Sequence, residues 1–116
     1  MEALGRWGSD VTFQPGGNTG WHVHPGPALV TVKTGRLTLH RAKGCRTRAF
    51  DAGQTFLELG SDDVNLTRNQ TGGVTETVVT FLLPVGAPVT VDAPAPRHCP
   101  CSRAERPGPG STPARG

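Results

Sequence analysis

Two histidines, His22 and His24, lie two residues apart between a glycine-rich segment and a Pro-Gly-Pro bend. In a β-strand alternate side chains share a face, so both imidazoles would point the same way. Neutral imidazole is a ligand for Zn, Cu, Fe and Ni, and two on one face are the beginning of a metal site. An exposed histidine pair on a sheet surface explains the same spacing equally well.

The elements that must position these histidines are short β-rich runs. The chain has 116 residues, among them 16 glycines and 11 prolines, and these fall between runs rich in valine, leucine and threonine. Short runs that are separated by glycine and proline and show no helical period are typical of an all-β domain with tight turns. We expect a β-sandwich or barrel with a single core.

The predicted strands form one domain over residues 8–92. Thr34 and Gly35 have the composition of a two-residue turn and predict a β-hairpin between the runs on either side of them. The predicted strands cover residues 11–14, 28–33, 36–40, 47–50, 54–59, 64–69, 74–83 and 88–91.

Residues 93–116 are rich in proline, arginine, glycine and serine, and they predict a disordered tail. The formal net charge of +3 arises there, because the first 96 residues contain equal numbers of basic and acidic side chains. Since the sequence has no basic helix and no basic patch interleaved with aromatic residues, we expect no nucleic-acid partner.

No run of 18 apolar residues is present, so we expect no membrane partner. The N-terminal residues lack the basic and apolar regions of a signal peptide, which predicts a cytoplasmic protein for the chain as given. Secretion stays open if the N-terminus is truncated.

Three cysteines are present, Cys45, Cys99 and Cys101. Free thiols in a reducing compartment are the simpler interpretation of an odd number, and a bridge between Cys45 and Cys99 is the alternative. His98 lies beside the last two cysteines, and such a group can bind soft metals. We interpret it as part of a flexible tail with incidental thiols.

The histidine pair and its surroundings resemble the first motif of the cupin family. That motif contains His-x-His, then a glutamate, then a glycine. Here His22, His24 and Gly35 match, whereas the glutamate position falls on Ala28. The resemblance implies a double-stranded β-helix, which is a small jelly-roll-like barrel.

A second motif of that family is matched in part. Gly53 opens it and Asn69 closes it, but Asn65 stands at the position of its histidine. The chain is similar to small bacterial cupin-2 proteins over about residues 11–99. The segments that carry this similarity are 13–17, 20–22, 24–27, 68–69 and 82–88.

The resemblance implies a metal site at the mouth of the barrel. Asp63 and Asn65 are two residues apart and would share a face, as His22 and His24 do. The two histidines and Asp63 would then form a two-histidine, one-carboxylate set, which is the ligand type of non-haem Fe(II) oxygenases. Asn65 would add a weak carbonyl ligand or orient a water, and Glu58 is a second candidate for the carboxylate.

Two functions are compatible with this site. The first is a mononuclear cupin that uses a divalent Fe, Ni, Mn or Zn ion, with dioxygenase-like or isomerase-like chemistry on a small organic molecule. The second is a non-catalytic cupin that binds a small ligand and has a degraded metal site. Either form is expected to be a homodimer, because a barrel with an exposed sheet edge tends to pair. Trp21 is expected to pack against the mouth of the barrel, with the lining of a substrate pocket as the alternative, and His40 is expected at the surface.

Overall fold

The computed structural model describes residues 4–60 and 62–99. This part of the chain consists of β-strands and one short 3₁₀ helix, Lys43–Cys45. In chain order the strands are β1 (Leu4–Phe13), β2 (His22–Val23), β3 (Ala28–Thr34), β4 (Arg36–Arg41), β5 (Arg46–Asp51), β6 (Thr55–Glu58), β7 (Asn65–Arg68), β8 (Thr75–Pro84) and β9 (Val91–Asp92).

The strands form two sheets whose inner faces enclose the core. One sheet has the order β1-β8-β3-β6 and the other the order β5-β4-β7-β2-β9, and neighbouring strands are antiparallel. Apolar side chains alternate with polar ones along most strands, so that one face is buried. The prediction of an all-β barrel is confirmed. The buried core contains Phe13, Ala28, Val30, Val32, Leu37, Leu39, Phe50, Phe56, Val79, Phe81 and Leu83.

The prediction of a β-hairpin at Thr34 and Gly35 is wrong. β3 pairs with β6 and β8, whereas β4 pairs with β5 and β7, so the turn passes from one sheet to the other. Gly35 has φ +84°, and a Cβ there would lie 2.4 Å from the hydroxyl of Thr75. The glycine is therefore required because the chain crosses close to the start of β8, and a local turn rule does not distinguish this crossing from a hairpin.

Strand β1 begins at Leu4, seven residues before the predicted start. It pairs with β8 along its full length, from Leu4 opposite Pro84 to Phe13 opposite Thr75. This long-range pairing provides the backbone hydrogen bonds of a segment whose glycines weaken its intrinsic strand propensity. No helix in the described residues is long and apolar enough to cross a membrane.

Residues 93–99 contact the barrel, although the predicted tail began at residue 93. The amide of Ala93 donates to the carbonyl of Trp21 at 3.0 Å, and the His98 ring donates to the carbonyl of Ala42 at 2.9 Å. Cys99 is buried and forms a disulfide with Cys45. The bridge that the sequence left open is thus present, while residues 100–116, with Cys101, lie outside the described residues.

His40 is buried, with 6% of its surface exposed, and not at the surface as predicted. It lies opposite Leu66 in the β4–β7 register, on the face of the five-stranded sheet that points away from the main core. Leu66, Trp21 and Ala42 form a second apolar cluster there. Burial lowers the pKa of His40, and the positive charge of Arg68 lowers it further.

We expect His40 to make the protein less stable in mild acid. Because its pKa is lower in the folded than in the unfolded chain, the unfolded chain binds the proton more readily as the pH falls through about 6.5. The stability that neutral His40 contributes above this pH is therefore lost below it. Urea unfolding between about pH 5 and about pH 8 should show a steeper loss for the native chain than for His40→Gln. Identical slopes would contradict this role.

Candidate metal centre

His22 and His24 are both buried, with 2% and 4% of their surfaces exposed. His22 lies in β2 opposite Asn65 of β7, and His24 follows that strand directly. Such burial excludes the exposed surface pair as the explanation of their spacing. The two rings meet edge to face, with centroids 4.8 Å apart.

Glu58 is the carboxylate that meets both histidines. Its Oε2 atom lies 3.1 Å from His22 Nε2 and 3.2 Å from His24 Nε2. Glu58 ends β6 on the inner face of the opposite sheet and is 3% exposed. Because all three side chains are buried, they form a set of potential metal ligands shielded from bulk water.

Backbone carbonyls determine which ring nitrogens carry protons. His22 Nδ1 lies 3.0 Å from the carbonyl oxygen of Gly20, and His24 Nδ1 lies 2.5 Å from that of Val89. A carbonyl oxygen can only accept, so both Nδ1 atoms must be donors. In the neutral rings the lone pairs are then on the Nε2 atoms, which face Glu58.

Two lone pairs and a carboxylate oxygen do not hydrogen-bond to one another. The arrangement therefore requires either two protonated imidazoles or a cation among the three atoms. Metal–ligand bonds of about 2.0–2.2 Å at tetrahedral or octahedral angles separate neighbouring donors by about 3.0–3.4 Å. The separations of 3.1 and 3.2 Å lie in this range. Carbonyl acceptors on the remote ring nitrogens are also typical of metal-binding histidines, so the residues fit a metal ion.

The electrostatics keep Glu58 ionised. Burial alone would raise the pKa of its carboxyl group, but hydrogen bonds from His22 and His24 and the positive charge of their protonated rings outweigh burial. The net effect is a pKa well below the ordinary range of a glutamate. Beside the protonated imidazoles Glu58 is consequently ionised at neutral pH.

Asp63, the predicted third ligand, has other partners. Its Oδ2 atom accepts hydrogen bonds from the Arg41 guanidinium at 3.1 Å and from the amide of Leu59 at 2.8 Å. The physical reason is that β7 begins only at Asn65, so the alternation of strand faces does not extend back to Asp63. The convergent set in the structure contains Glu58, the second candidate, in its place.

Asn65, predicted to add a weak carbonyl ligand or to orient a water, contacts the carboxylate of Glu58. Its Nδ2 atom donates to Glu58 Oε2 at 3.3 Å and to the carbonyl of Asp63 at 3.2 Å. Its Oδ1 atom is buried and has no hydrogen-bond partner among the described residues. Asn65 thus orients Glu58, and its carbonyl oxygen keeps the capacity to accept a further bond.

Ala28 explains why the carboxylate comes from β6. Ala28 stands at the glutamate position of the first motif, and in the β3–β6 register its partner is Glu58. Cross-strand partners project from the same face with Cβ atoms about 5 Å apart. Glu58 therefore offers its carboxylate from the neighbouring strand, next to the place where a glutamate at 28 would offer one. The sequence signal for this arrangement was that β3 lacks the glutamate of the first motif, whereas β6, which pairs with β3, contains Glu58.

Gly60 fixes the turn that follows Glu58. It has φ +94°, and a Cβ there would lie 2.8 Å from the carbonyl carbon of Gly26. The turn after β6 and the bend after His24 are therefore in backbone contact, which only glycine allows. This contact holds the end of the glutamate strand close to the histidines.

A cavity of about 180 Å³ adjoins the three side chains. Trp21 does not line it and instead packs in the second apolar cluster. The lining residues are Gly8, Ser9, Val11, Phe13, Thr19, His22, His24, Val30, Leu37, Glu58, Thr67, Thr77, Val79, Phe81, Val89 and Thr90.

A second group of possible ligands contains Cys45, His98 and Cys99. The two sulfur atoms are joined in the disulfide, so they are not thiolate ligands in this structure. The buried histidine–glutamate set is accordingly the candidate metal centre.

No protein-family model matches the chain, and no curated protein matches it. Among solved structures, an uncharacterized conserved protein with a double-stranded beta-helix domain from Klebsiella pneumoniae matches with a TM-score of 0.63 and 20% identity, over 80% of each chain. Oxalate oxidase in complex with the substrate analogue glycolate matches with a TM-score of 0.64 and 25% identity, over 78% of this chain and 47% of that one. A cupin-2 domain containing protein from Shewanella frigidimarina matches with a TM-score of 0.56 and 13% identity, over 66% of this chain and 70% of that one.

Proposed function

We propose, from the premise that this chain has the cupin fold, that it binds one divalent metal ion through His22, His24 and Glu58 and a small organic molecule in the adjacent cavity. The observation that carries the proposal is geometric: both Nε2 atoms converge on one buried carboxylate oxygen, while each Nδ1 atom lies beside a backbone carbonyl. Nitrogen and carboxylate donors suit Fe, Mn, Ni and Zn.

The proposed reaction class is dioxygenase-like or isomerase-like. A two-histidine, one-carboxylate set with open positions is the ligand type of non-haem Fe(II) oxygenases. When bound, such an ion supplies a Lewis acid and a place where substrate oxygen can bind. The chain itself would orient the ligands through Asn65, Gly20 and Val89 and would exclude water with the apolar walls of the cavity.

The second candidate function is a metal-free protein that binds a small ligand. The apolar character of the cavity supports it, because apolar walls favour binding without any metal. In that case both imidazoles would be protonated and would form charge-assisted hydrogen bonds with Glu58.

Metal binding by the purified protein tests the first function against the second. We expect the native chain to bind Zn(II) or Co(II) and His22→Ala and His24→Ala each to lower the affinity by more than about 100-fold, because each removes a direct ligand. Equilibrium dialysis with metal analysis measures this. His40→Gln is the matched control, since it removes another buried imidazole outside the site and should bind metal as the native chain does. A native chain that binds no divalent metal would leave only the second function.

We also propose a homodimer and an oxidising compartment. The exposed Leu29 and Leu57 are cross-strand partners on the outer face of the four-stranded sheet, which supports association through apolar contact. The Cys45–Cys99 disulfide supports the alternative to a cytoplasmic location, because such bridges persist in oxidising environments.

A further inference from the structure

The cavity beside the candidate metal centre has ionisable side chains at one end only. His22, His24 and Glu58 form that end. The walls are formed mostly by apolar side chains from both sheets, namely Val11, Phe13, Val30, Leu37, Val79 and Phe81, with hydroxyl groups of one serine and four threonines among them. A ligand that fills this space must therefore have an apolar body, because uncompensated polar groups along the walls would lose their hydrogen bonds to water.

Two of the hydroxyl groups along the walls, those of Thr19 and Thr77, already donate their protons to backbone carbonyls. Thr77 donates to the carbonyl of Val11 at 2.9 Å. Thr19 donates to the carbonyl of Gly20 at 2.8 Å and accepts from the amide of Thr67 at 3.1 Å. These two threonines consequently offer a ligand no free donor, which favours the histidine–glutamate end for an anionic oxygen of the ligand.

Charge balance limits the ligand to one negative charge. No lysine or arginine is among the described residues that line the cavity, and Glu58 is the only carboxylate there. A divalent ion and one glutamate leave a net charge of about +1 with neutral histidines. One anionic oxygen neutralises this charge, whereas a second carboxylate would be buried without a partner, at a large cost in free energy.

The cavity volume limits the ligand to about one ring. An apolar cavity of about 150 Å³ holds a benzene molecule, and the volume here is about 180 Å³. The ring of Phe81 packs edge to face against His24, with centroids 5.3 Å apart, so an aromatic surface borders the metal ligands.

We propose that the ligand is a compact apolar molecule, of single-ring size, that presents one ionisable oxygen of the phenol or enol type to the metal. This inference rests on the proposed metal centre, and it excludes short dicarboxylic and hydroxy acids such as oxalate and glycolate as the preferred ligands. The apolar walls supply the binding free energy, and the single oxygen supplies the orientation.

Titrations of Zn(II)-loaded protein test the ligand class, after metal analysis has established the loading. We expect phenol to bind at least about 10-fold more tightly than glycolate or oxalate, because only phenol both fills the apolar walls and balances the charge. Removal of the metal should weaken phenol binding by at least about 10-fold, since its oxygen then faces Glu58. 1-Naphthol should bind at least about 10-fold more weakly than phenol, because two rings exceed the volume.

A variant that fills the cavity gives the second measurement. Val79→Phe should abolish phenol binding and keep Zn(II) binding, since Val79 lines the walls but is not a ligand. Val85→Phe is the matched control, because Val85 is 66% exposed and the same substitution there leaves the cavity open. If Val79→Phe does not fold, the comparison of phenol with 1-naphthol on the native chain decides the size argument.

The outcomes separate the two proposals. Three results would each overturn the ligand class without affecting the proposed metal centre. Glycolate or oxalate would bind as tightly as phenol, or phenol would bind equally well without the metal, or phenol would still bind to Val79→Phe. Failure of the native chain to bind Zn(II) would overturn the proposed function itself.

Discussion

Glu58→Gln is expected to lower the affinity for a divalent metal by about 100-fold or more, and Asp63→Asn is expected to leave it nearly unchanged. The Glu58 Oε2 atom lies 3.1 and 3.2 Å from the two Nε2 atoms, and the glutamine keeps the size but removes the negative charge. Loss of a group that merely supports a ligand costs roughly 10- to 100-fold in metal affinity, so loss of a direct ligand should cost at least the upper value.

Asp63→Asn is the matched control, since it also exchanges a carboxylate for an amide. The Asp63 carboxylate accepts bonds from Arg41 and from the amide of Leu59, so the variant should lose stability while it still binds metal. Calorimetric titration with Zn(II) and thermal unfolding without metal measure the two effects separately. Loss of metal binding in Asp63→Asn together with retention in Glu58→Gln would restore the assignment predicted from the sequence.

A double variant can move the carboxylate from β6 to the neighbouring strand β3. Glu58→Ala should not bind metal, and the addition of Ala28→Glu should recover a large part of the affinity, because residues 28 and 58 are cross-strand partners on one face. The same titration measures the recovery. No gain from Ala28→Glu in a folded double variant would show that a carboxylate on β3 does not reach the histidines.

The histidine pair and the fold class could be predicted because both depend on local patterns. The spacing of His22 and His24 and the alternation along β3 to β8 are readable from neighbouring residues. The partner of the histidines was harder to predict. Glu58 faces Ala28 through the β3–β6 register, which joins segments about thirty residues apart and has no local signal.

Other differences between the predicted and the observed structure also arise from contacts between segments that are distant in the sequence. The turn at Gly35 has the composition of a hairpin, but it passes between sheets because β4 finds its partners in β5 and β7. His40 is buried because the outer face of this sheet carries a second apolar cluster, to which its cross-strand partner Leu66 belongs. Composition alone favoured disorder after residue 92, whereas the bridge to Cys45 fixes residues 93–99 on the barrel.

The disulfide also connects the C-terminal segment to the metal centre. Val89 accepts the Nδ1 proton of His24, and β9 pairs with β2, which contains His22. Few backbone hydrogen bonds hold this segment, among them the bond from Ala93 to Trp21. The covalent link at Cys99 therefore restrains the residues that orient both histidines.

Cys99→Ser is accordingly expected to destabilise the metal-free protein by about 4 kcal/mol, because the bridge closes a loop with a sequence separation of 54 residues. In a chain of this size that loss should lower the midpoint of thermal unfolding by roughly 10 °C or more. Zn(II) affinity should fall as well, since His24 loses a fixed acceptor for its Nδ1 proton.

Differential scanning calorimetry without metal, with and without a thiol reductant, measures the change in stability. Cys101→Ser is the control, because it makes the same substitution at a cysteine other than the bridged pair Cys45 and Cys99. It should unfold like the native chain, and the reductant should bring both down to the midpoint of Cys99→Ser. A reduced native chain that keeps its full stability and metal affinity would show that the bridge supports neither the barrel nor the centre.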